Sequence, residues 1–263
     1  METASRLTVL SQIAYIAGRS LWRTFRQPAM IIPNITFPLL LLAINSNGLR
    51  AATHLPGFPT SSFLDFFIPI SFMQGALFAA IVSGLDLGRD IDSGFLNRLA
   101  LTPMRGVALL LGELGGAVGL GTIQAIVYLA VGVAAGVRFE TGAAGAAVLF
   151  LLAILIALGW GTIGIFVALW TGSGEAVQSS FPLLFFLLFI SSMNLPRNLI
   201  EIDWFRDLAT VNPVSYMIEA MRTLVISGWD GQALGLGFLF VFVLIALGLG
   251  ASALSLRTRM ART

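Results

Sequence analysis

Residues 143–170 read AAGAAVLFLLAILIALGWGTIGIFVALW, 28 residues without a charged side chain. A helix needs about 20 such residues to cross the hydrocarbon core of a bilayer, so the stretch reads as a span. Five more apolar runs flank it, at 29–46, 63–85, 106–135, 178–194 and 232–256. The runs at 29–46 and 178–194 are short and carry Pro33, Pro38 and Pro182. Spans tolerate proline where neighbouring helices satisfy the freed carbonyls. Composition agrees with six spans. Counted with glycine and without tyrosine, two-thirds of the 263 residues are apolar, against roughly 45–50% in a soluble domain. Only 11% are charged, against about 25%. Such a chain cannot cover a globule with polar groups. The expectation is an all-α integral membrane protein, with residues 1–263 forming a single transmembrane domain of six helices.

Arginine placement orients that bundle. Arg6, Arg19, Arg23, Arg26, Arg89, Arg98, Arg105, Arg257, Arg259 and Arg262 fall on one side, and Arg50, Arg138, Arg197, Arg206 and Arg222 on the other. The excess of positive charge marks the first side as cytoplasmic, with both termini there. Residues 7–27 do not read as a cleaved signal, because three arginines interrupt them. On a helical wheel Arg19, Arg23 and Arg26 share an arc of about 60°, roughly opposite Leu10, Ile13, Ala17 and Leu21. That pattern predicts an amphipathic helix lying in the interface, its guanidinium groups at the headgroups. Residues 195–231 hold Pro196, Trp204, Pro213 and Tyr216 among charges, with apolar patches at 199–205 and 214–225 too short to cross. They read as an outer re-entrant helical segment, allowed where the backbone is buried or faces a watery cavity.

Absent residue types remove several chemistries. There is no cysteine, so no disulfide, thiol nucleophile or thiolate metal site. There is no lysine, so a phosphate loop of the form GxxxxGK[ST] cannot be present. His54 stands alone, which leaves no histidine pair for a metal or for acid–base work. No catalytic residue, metal site or nucleic-acid partner is expected.

The connection after the second run reads DLGRDIDSGFLNRLALTPM over residues 86–104. Mixed charge leads to a glycine, an amphipathic stretch and Thr102-Pro103. This resembles the signature of the ABC type-2 transporter permeases, in which a charged run precedes G-T-L-E-x-L-x-x-T-P. Gly94, Leu96, Leu99, Thr102 and Pro103 match; Phe95 and Asn97 stand where threonine and glutamate are usual. Near the sixth span, Asn212-Pro213-Val214-Ser215-Tyr216 followed by Glu219-Ala220-Met221-Arg222 is similar to the same family's C-terminal signature. The resemblance covers nearly the whole chain, and is nearest to the daunorubicin-resistance-type drug and lipid exporter permeases.

The resemblance implies a transport subunit, not an enzyme, in a bacterial inner membrane. Its partners would be an ABC ATPase subunit that binds ATP and magnesium, a second permease copy or related permease, and membrane lipid. Segment 86–104 would be the coupling segment seated on the ATPase. Asp90, Asp92 and Arg98 would supply rim charges, Phe95, Leu96 and Leu99 an apolar anchor, and Gly94 a tight turn. Glu175, between the fourth and fifth runs, suits either a second coupling contact or a helix-dipole cap. The family borders its path with spans 2 and 5, which implies path roles for Phe67, Gln74, Phe78, Phe181, Phe185 and Phe189. Taken on the residues alone, the phenylalanines serve equally as core or lipid-facing side chains. Glu219 and Arg222, three apart, can pair on one helix face, or stand solvated. Glu113 lies inside an apolar run, where it is either functional or paired with an arginine near the interface. Gly112, Gly115, Gly116 and Gly119 form overlapping GxxxG pairs that permit close helix approach.

An amphipathic drug or lipid-like cargo fits the phenylalanine stripes; a polysaccharide or glycolipid is the alternative. A secondary transporter or channel would need more ionisable groups at mid-span.

Overall fold

The computed structural model describes residues 8–100 and 104–260, and every element among them is helical. Arg6, Thr102, Pro103, Arg262 and the side chain of Leu99 lie outside that description. In chain order the helices are α1 (Val9–Phe25), α2 (Pro28–Gly48), α3 (Phe63–Asp92), α4 (Phe95–Ala100), α5 (Gly106–Glu113), α6 (Gly115–Ala134), α7 (Gly142–Thr171), α8 (Gly174–Phe189), α9 (Asp203–Val211), α10 (Pro213–Ile226) and α11 (Gly231–Met260). Five segments are long and apolar enough to cross a membrane: Pro28–Gly48, Phe63–Asp92, Gly106–Ala134, Gly142–Thr171 and Gly231–Arg259. The chain is therefore a multi-pass membrane protein.

The run at 178–194 behaves differently from the rest. Its helix, α8, has 16 residues, about 24 Å, short of the ~30 Å of hydrocarbon. It stops where polar side chains capture its last carbonyls. Asn212 Nδ2 donates to Leu187 O at 2.6 Å and Ile190 O at 3.3 Å, and Ser191 Oγ donates to Leu188 O at 2.5 Å. These bonds satisfy groups that a helix end otherwise leaves orphaned.

Helix α3 is the axis of the bundle, 94% buried over its most apolar window. Small residues let its neighbours approach. A Cβ on Gly164 of α7 would strike the Ala80 carbonyl of α3, and one on Gly161 would meet Ala117 at 2.8 Å. By contrast α2 and α11 are only 11% and 17% buried over theirs, so each presents a broad apolar face outward. The near end of the bundle carries α1, the turn after α3 and the 171–174 connection. The far end carries the 3-10 turn Arg50–His54, the α6–α7 connection and α9–α10.

Helix α2 contains Pro38, which has no N–H for the Asn34 carbonyl four residues back. Two side chains of α6 take over: Tyr128 Oη and Gln124 Nε2 each donate to Asn34 O at 3.2 Å. The GxxxG pairs also face inward. Cβ atoms on Gly112, Gly115, Gly116 and Gly119 would collide with Ile16, Ala17, Ser20 and Leu21 of α1. Close packing there is backed by hydrogen bonds from Ser20 Oγ to Glu113 O at 3.1 Å and from Gly116 N to Ser20 Oγ at 3.0 Å. Within the chain, the glycine stripe thus serves α1.

Candidate functional site

At the near end, α3 continues as helix through Asp92, so Asp86 and Asp90 sit on a helix and not in a loop. The turn that follows needs Gly94 at φ +66°, a left-handed conformation costly for residues with a Cβ. Helix α4 then begins at Phe95. Asp90 is 3% exposed, which corrects its expected place as a rim charge. Its carboxylate turns toward α1 instead. Arg19 donates to both oxygens, Nη1 to Oδ2 at 2.7 Å and Nη2 to Oδ1 at 2.6 Å, and Arg23 Nη2 donates to Oδ1 at 2.7 Å.

The knot extends on either side. Arg23 Nη1 donates to the Asp86 carbonyl at 3.0 Å, Arg89 Nη1 to Asp86 Oδ1 at 3.3 Å and to Gln27 Oε1 at 2.7 Å. Arg19 Nη1 also lies 3.5 Å from Glu113 Oε1, so Glu113 pairs with an arginine of the N-terminal helix. Burial disfavours the Arg19 charge. The hydrogen bond and attraction of Asp90 outweigh that and hold the Arg19 pKa above its usual value. The Phe95 ring lies under the same guanidinium, 3.9 Å from centroid to Cζ, a cation–π contact. One arginine thus joins α1, the end of α3, the start of α4 and the end of α5. Asp92 and Arg98 remain exposed, and Leu96 is buried beneath them.

The second connection adjoins the first. Gly172 takes φ +76°, and Ser173 Oγ caps α8 by accepting from Glu175 N at 3.1 Å. Glu175 is exposed in the first turn of α8, where the helix dipole favours an acid. A Cβ on Gly88 would come within 2.5 Å of the Gly174 backbone, so the two connections touch through glycine.

Of the six aromatic and polar stripe residues, the structure gathers four. Phe78 stacks on Phe181 with centroids 5.2 Å apart, Phe181 meets Phe185 at 4.7 Å, and Phe185 meets Phe189 at 5.9 Å. Phe37 of α2 joins them, 6.0 Å from Phe78 and 6.3 Å from Phe185; nothing in the pattern of α2 singles it out in sequence. Phe186 and Phe189 are more than half exposed beside this ladder. Phe67 and Gln74 do not join. Each is 1% exposed in the interior of the chain, because α3 is covered on all sides and its stripe is core at that depth.

At the far end Glu219 and Arg222 do not pair with each other, and Arg222 is buried instead of solvated. Glu219 accepts a forked contact from Arg197, Nε to Oε1 at 2.8 Å and Nη2 to Oε2 at 2.5 Å. Burial works against the Arg197 charge, but the hydrogen bond to Glu219 prevails and raises its pKa. Arg222 points into the bundle. It donates to three carbonyls, Phe66 O at 3.1 Å, Ser192 O at 3.1 Å and Met193 O at 3.2 Å, and lies over the Phe66 ring. A fixed fork of five donors suits arginine to this task. Pro196, Arg197, Glu219, Arg222 and Thr223 border an open cleft of about 410 Å³. Asn212 caps α10, its Oδ1 accepting from Val214 N at 3.0 Å, and Pro213 opens that helix. Tyr216 donates to Thr210 O at 2.8 Å and stacks on Phe240 of α11 at 4.7 Å. Trp204 is 63% exposed on α9.

Residues 11–226 match the family described as ABC-2 type transporter. The chain belongs to that family. This ABC-2 type transporter chain is 25% identical over 231 residues to a daunorubicin resistance ABC transporter permease protein of Streptomyces coeruleorubidus, covering 85% of this chain and 78% of the other. It is 24% identical over 231 residues to a probable doxorubicin resistance ABC transporter permease protein of Mycobacterium tuberculosis, covering 86% and 81%. A transport permease of Cyanophora paradoxa is 28% identical over 201 residues, covering 76% and 69%. The matched region takes in the knot, the aromatic ladder and the far-end segment, and ends before α11.

Proposed function

We propose that this chain is the permease subunit of an ATP-driven exporter that moves amphipathic drugs or lipid-like molecules outward. The observation that carries the reading is the build of the near end. Helix α3 runs unbroken from the bundle core to the Gly94 turn, and its last turns are bonded to α1 through Arg19 and Arg23. A push on α4 is therefore delivered at once to the core helix and to the N-terminal helix. Asp92, Gly94, Phe95 and Arg98 form the surface on which an ABC ATPase seats, with the buried Leu96 and Asp90 holding it from behind and Glu175 as a second contact. The chain lacks lysine, so a lysine-bearing phosphate loop belongs to the partner, which binds ATP and magnesium.

Residues 1–263 form a single domain with six spans, both termini in the cytoplasm of a bacterial inner membrane. Helix α8 is the short span, completed by the turn that Asn212 holds. Helix α1 lies in the inner interface with α5 beside it, since α6 alone has the 20 residues a crossing needs. The segment 195–231 re-enters the outer leaflet, with Trp204 at its surface. The partly buried ladder Phe78, Phe181 and Phe185, with the exposed Phe189 and Phe37 at its edge, is completed by a second permease copy and lines the apolar route. Phe67 and Gln74 support it from inside. Such a lining favours amphipathic cargo over a sugar polymer.

Co-purification with a tagged ATPase partner, followed by ATP-dependent transport in vesicles, tests this reading. Replacing Asp92, Phe95 and Arg98 together by alanine is expected to release the ATPase while membrane insertion persists. Retention of the ATPase and of transport in that variant would falsify the coupling role.

A further inference from the structure

In the near-end knot Arg19, Arg23 and Arg89 meet three carboxylates, Asp86, Asp90 and Glu113. Arg19 and Arg23 bind Asp90, and Arg89 is paired with Asp86. Arg26 is different. It is the exposed residue just past the end of α1, makes no salt bridge among the described residues, and its guanidinium rests on the ring of Trp22, 4.8 Å from the centroid. Trp22 is itself 61% exposed. Gly18, Arg19, Trp22, Arg23, Arg26 and Gln27 border an open cleft of about 830 Å³.

We infer that this cleft is a binding site for the headgroup of an anionic phospholipid of the inner leaflet. Three features select that occupant. The Arg26 guanidinium, which lies outside the ion pairs of the knot, borders the cleft, and the phosphate of an anionic headgroup complements it. Tryptophan with an exposed ring belongs at headgroup depth, with its apolar edge toward the acyl chains. A glycine at position 18 leaves the middle of the cleft unobstructed, since nothing lies within 4 Å of where its Cβ would stand. A zwitterionic headgroup carries its own cation beside the phosphate and gains less from Arg26. The inference rests on the proposed placement of α1 in the inner interface. It adds a consequence: the lipid sits against Arg19 and Arg23, the two groups that tie α1 to α3.

The test uses the full chain in detergent, titrated with phosphatidylglycerol and, separately, with phosphatidylcholine of the same acyl chains. Native mass spectrometry counts bound lipids. The first phosphatidylglycerol is expected to bind more tightly than phosphatidylcholine. Arg26→Gln is expected to weaken it about fivefold, the effect of one arginine at a charged membrane surface, and to weaken phosphatidylcholine less. Trp22→Leu, which removes the ring beneath the guanidinium, is expected to weaken it in the same direction. Arg138→Gln, at the far end, is the control and is expected to change nothing. Equal binding of the two lipids, an unaltered Arg26→Gln, or an equal loss in Arg138→Gln would each overturn the site. So would displacement of the lipid by millimolar inorganic phosphate, which marks a free-anion site instead. None of these outcomes depends on an ATPase, so a failed co-purification leaves this result readable on its own.

Discussion

Asp90 holds two guanidinium groups with one carboxylate, and it is nearly fully buried while Arg19 is about a third exposed. Breaking such an arrangement from the acid side leaves Arg19 and Arg23 with only their longer contacts to Glu113 and Asp86. Asp90→Asn keeps the shape and removes the charge. It is expected to lower stability by about 2 kcal/mol, the range of a hydrogen bond to a charged group, read as a lower midpoint of thermal unfolding in detergent. Wild-type stability in that variant would mean that the knot is a surface ion pair of little worth. Arg222 represents the opposite solution for a buried charge. It meets no carboxylate within salt-bridge distance among the described residues, and its donors are spread over carbonyls of α3 and of the turn after α8. Asp90 and Arg222 stand in sequence within charged, motif-bearing stretches, which is why both were legible as candidates. Their partners were not, since Arg19 is 71 residues from Asp90 and Phe66 is 156 from Arg222.

Among the elements, α2 shows how a proline in a span is accommodated. The carbonyl freed by Pro38 receives two donors from α6, and losing one leaves the other in place. Tyr128→Phe is expected to cost about 1 kcal/mol. Gln124→Leu should cost less, because Gln124 Oε1 is buried without a hydrogen-bond partner among the described residues and its removal offsets the lost donor. Together they orphan the Asn34 carbonyl, so the double variant is expected to lose more than the sum of the singles. Strict additivity in a double-mutant cycle would show that the two donors do not share that carbonyl. The two prolines of this run, Pro33 and Pro38, stand in the sequence as a demand for outside donors to the carbonyls they free. Which neighbour would supply them depended on how α2 crosses α6.

For the molecule as a whole, the faces left bare matter as much as the core. Helices α2, α3 and α8 carry the phenylalanine ladder, and Phe37 and Phe189 leave its edge exposed. Phe185 touches Phe37, Phe78, Phe181 and Phe189, so its truncation opens the ladder at its centre. Phe185→Ala is expected to alter the stimulation of ATP hydrolysis by amphipathic cargo, in nanodiscs holding permease and ATPase together. Hydrolysis without cargo should stay within about twofold, because the change lies far from the coupling surface. A variant whose responses to every cargo match the wild type would remove the ladder from the path.

Sequence by itself determined the class of this protein: a multi-pass helical chain with a charged turn after its second span and a capped helical segment before its last. It could do so because transfer from water to lipid is summed locally, residue by residue, and because Gly94 and Asn212-Pro213 impose their turns on their own neighbourhoods. Only the tertiary structure decided that Asp90 faces α1 and not a partner, that Glu219 chooses Arg197 over Arg222, and that α8 ends at Phe189. Those choices are made between helices distant in the chain, where the glycines of α3, α6 and α7 set how closely two backbones approach and thus which side chains meet.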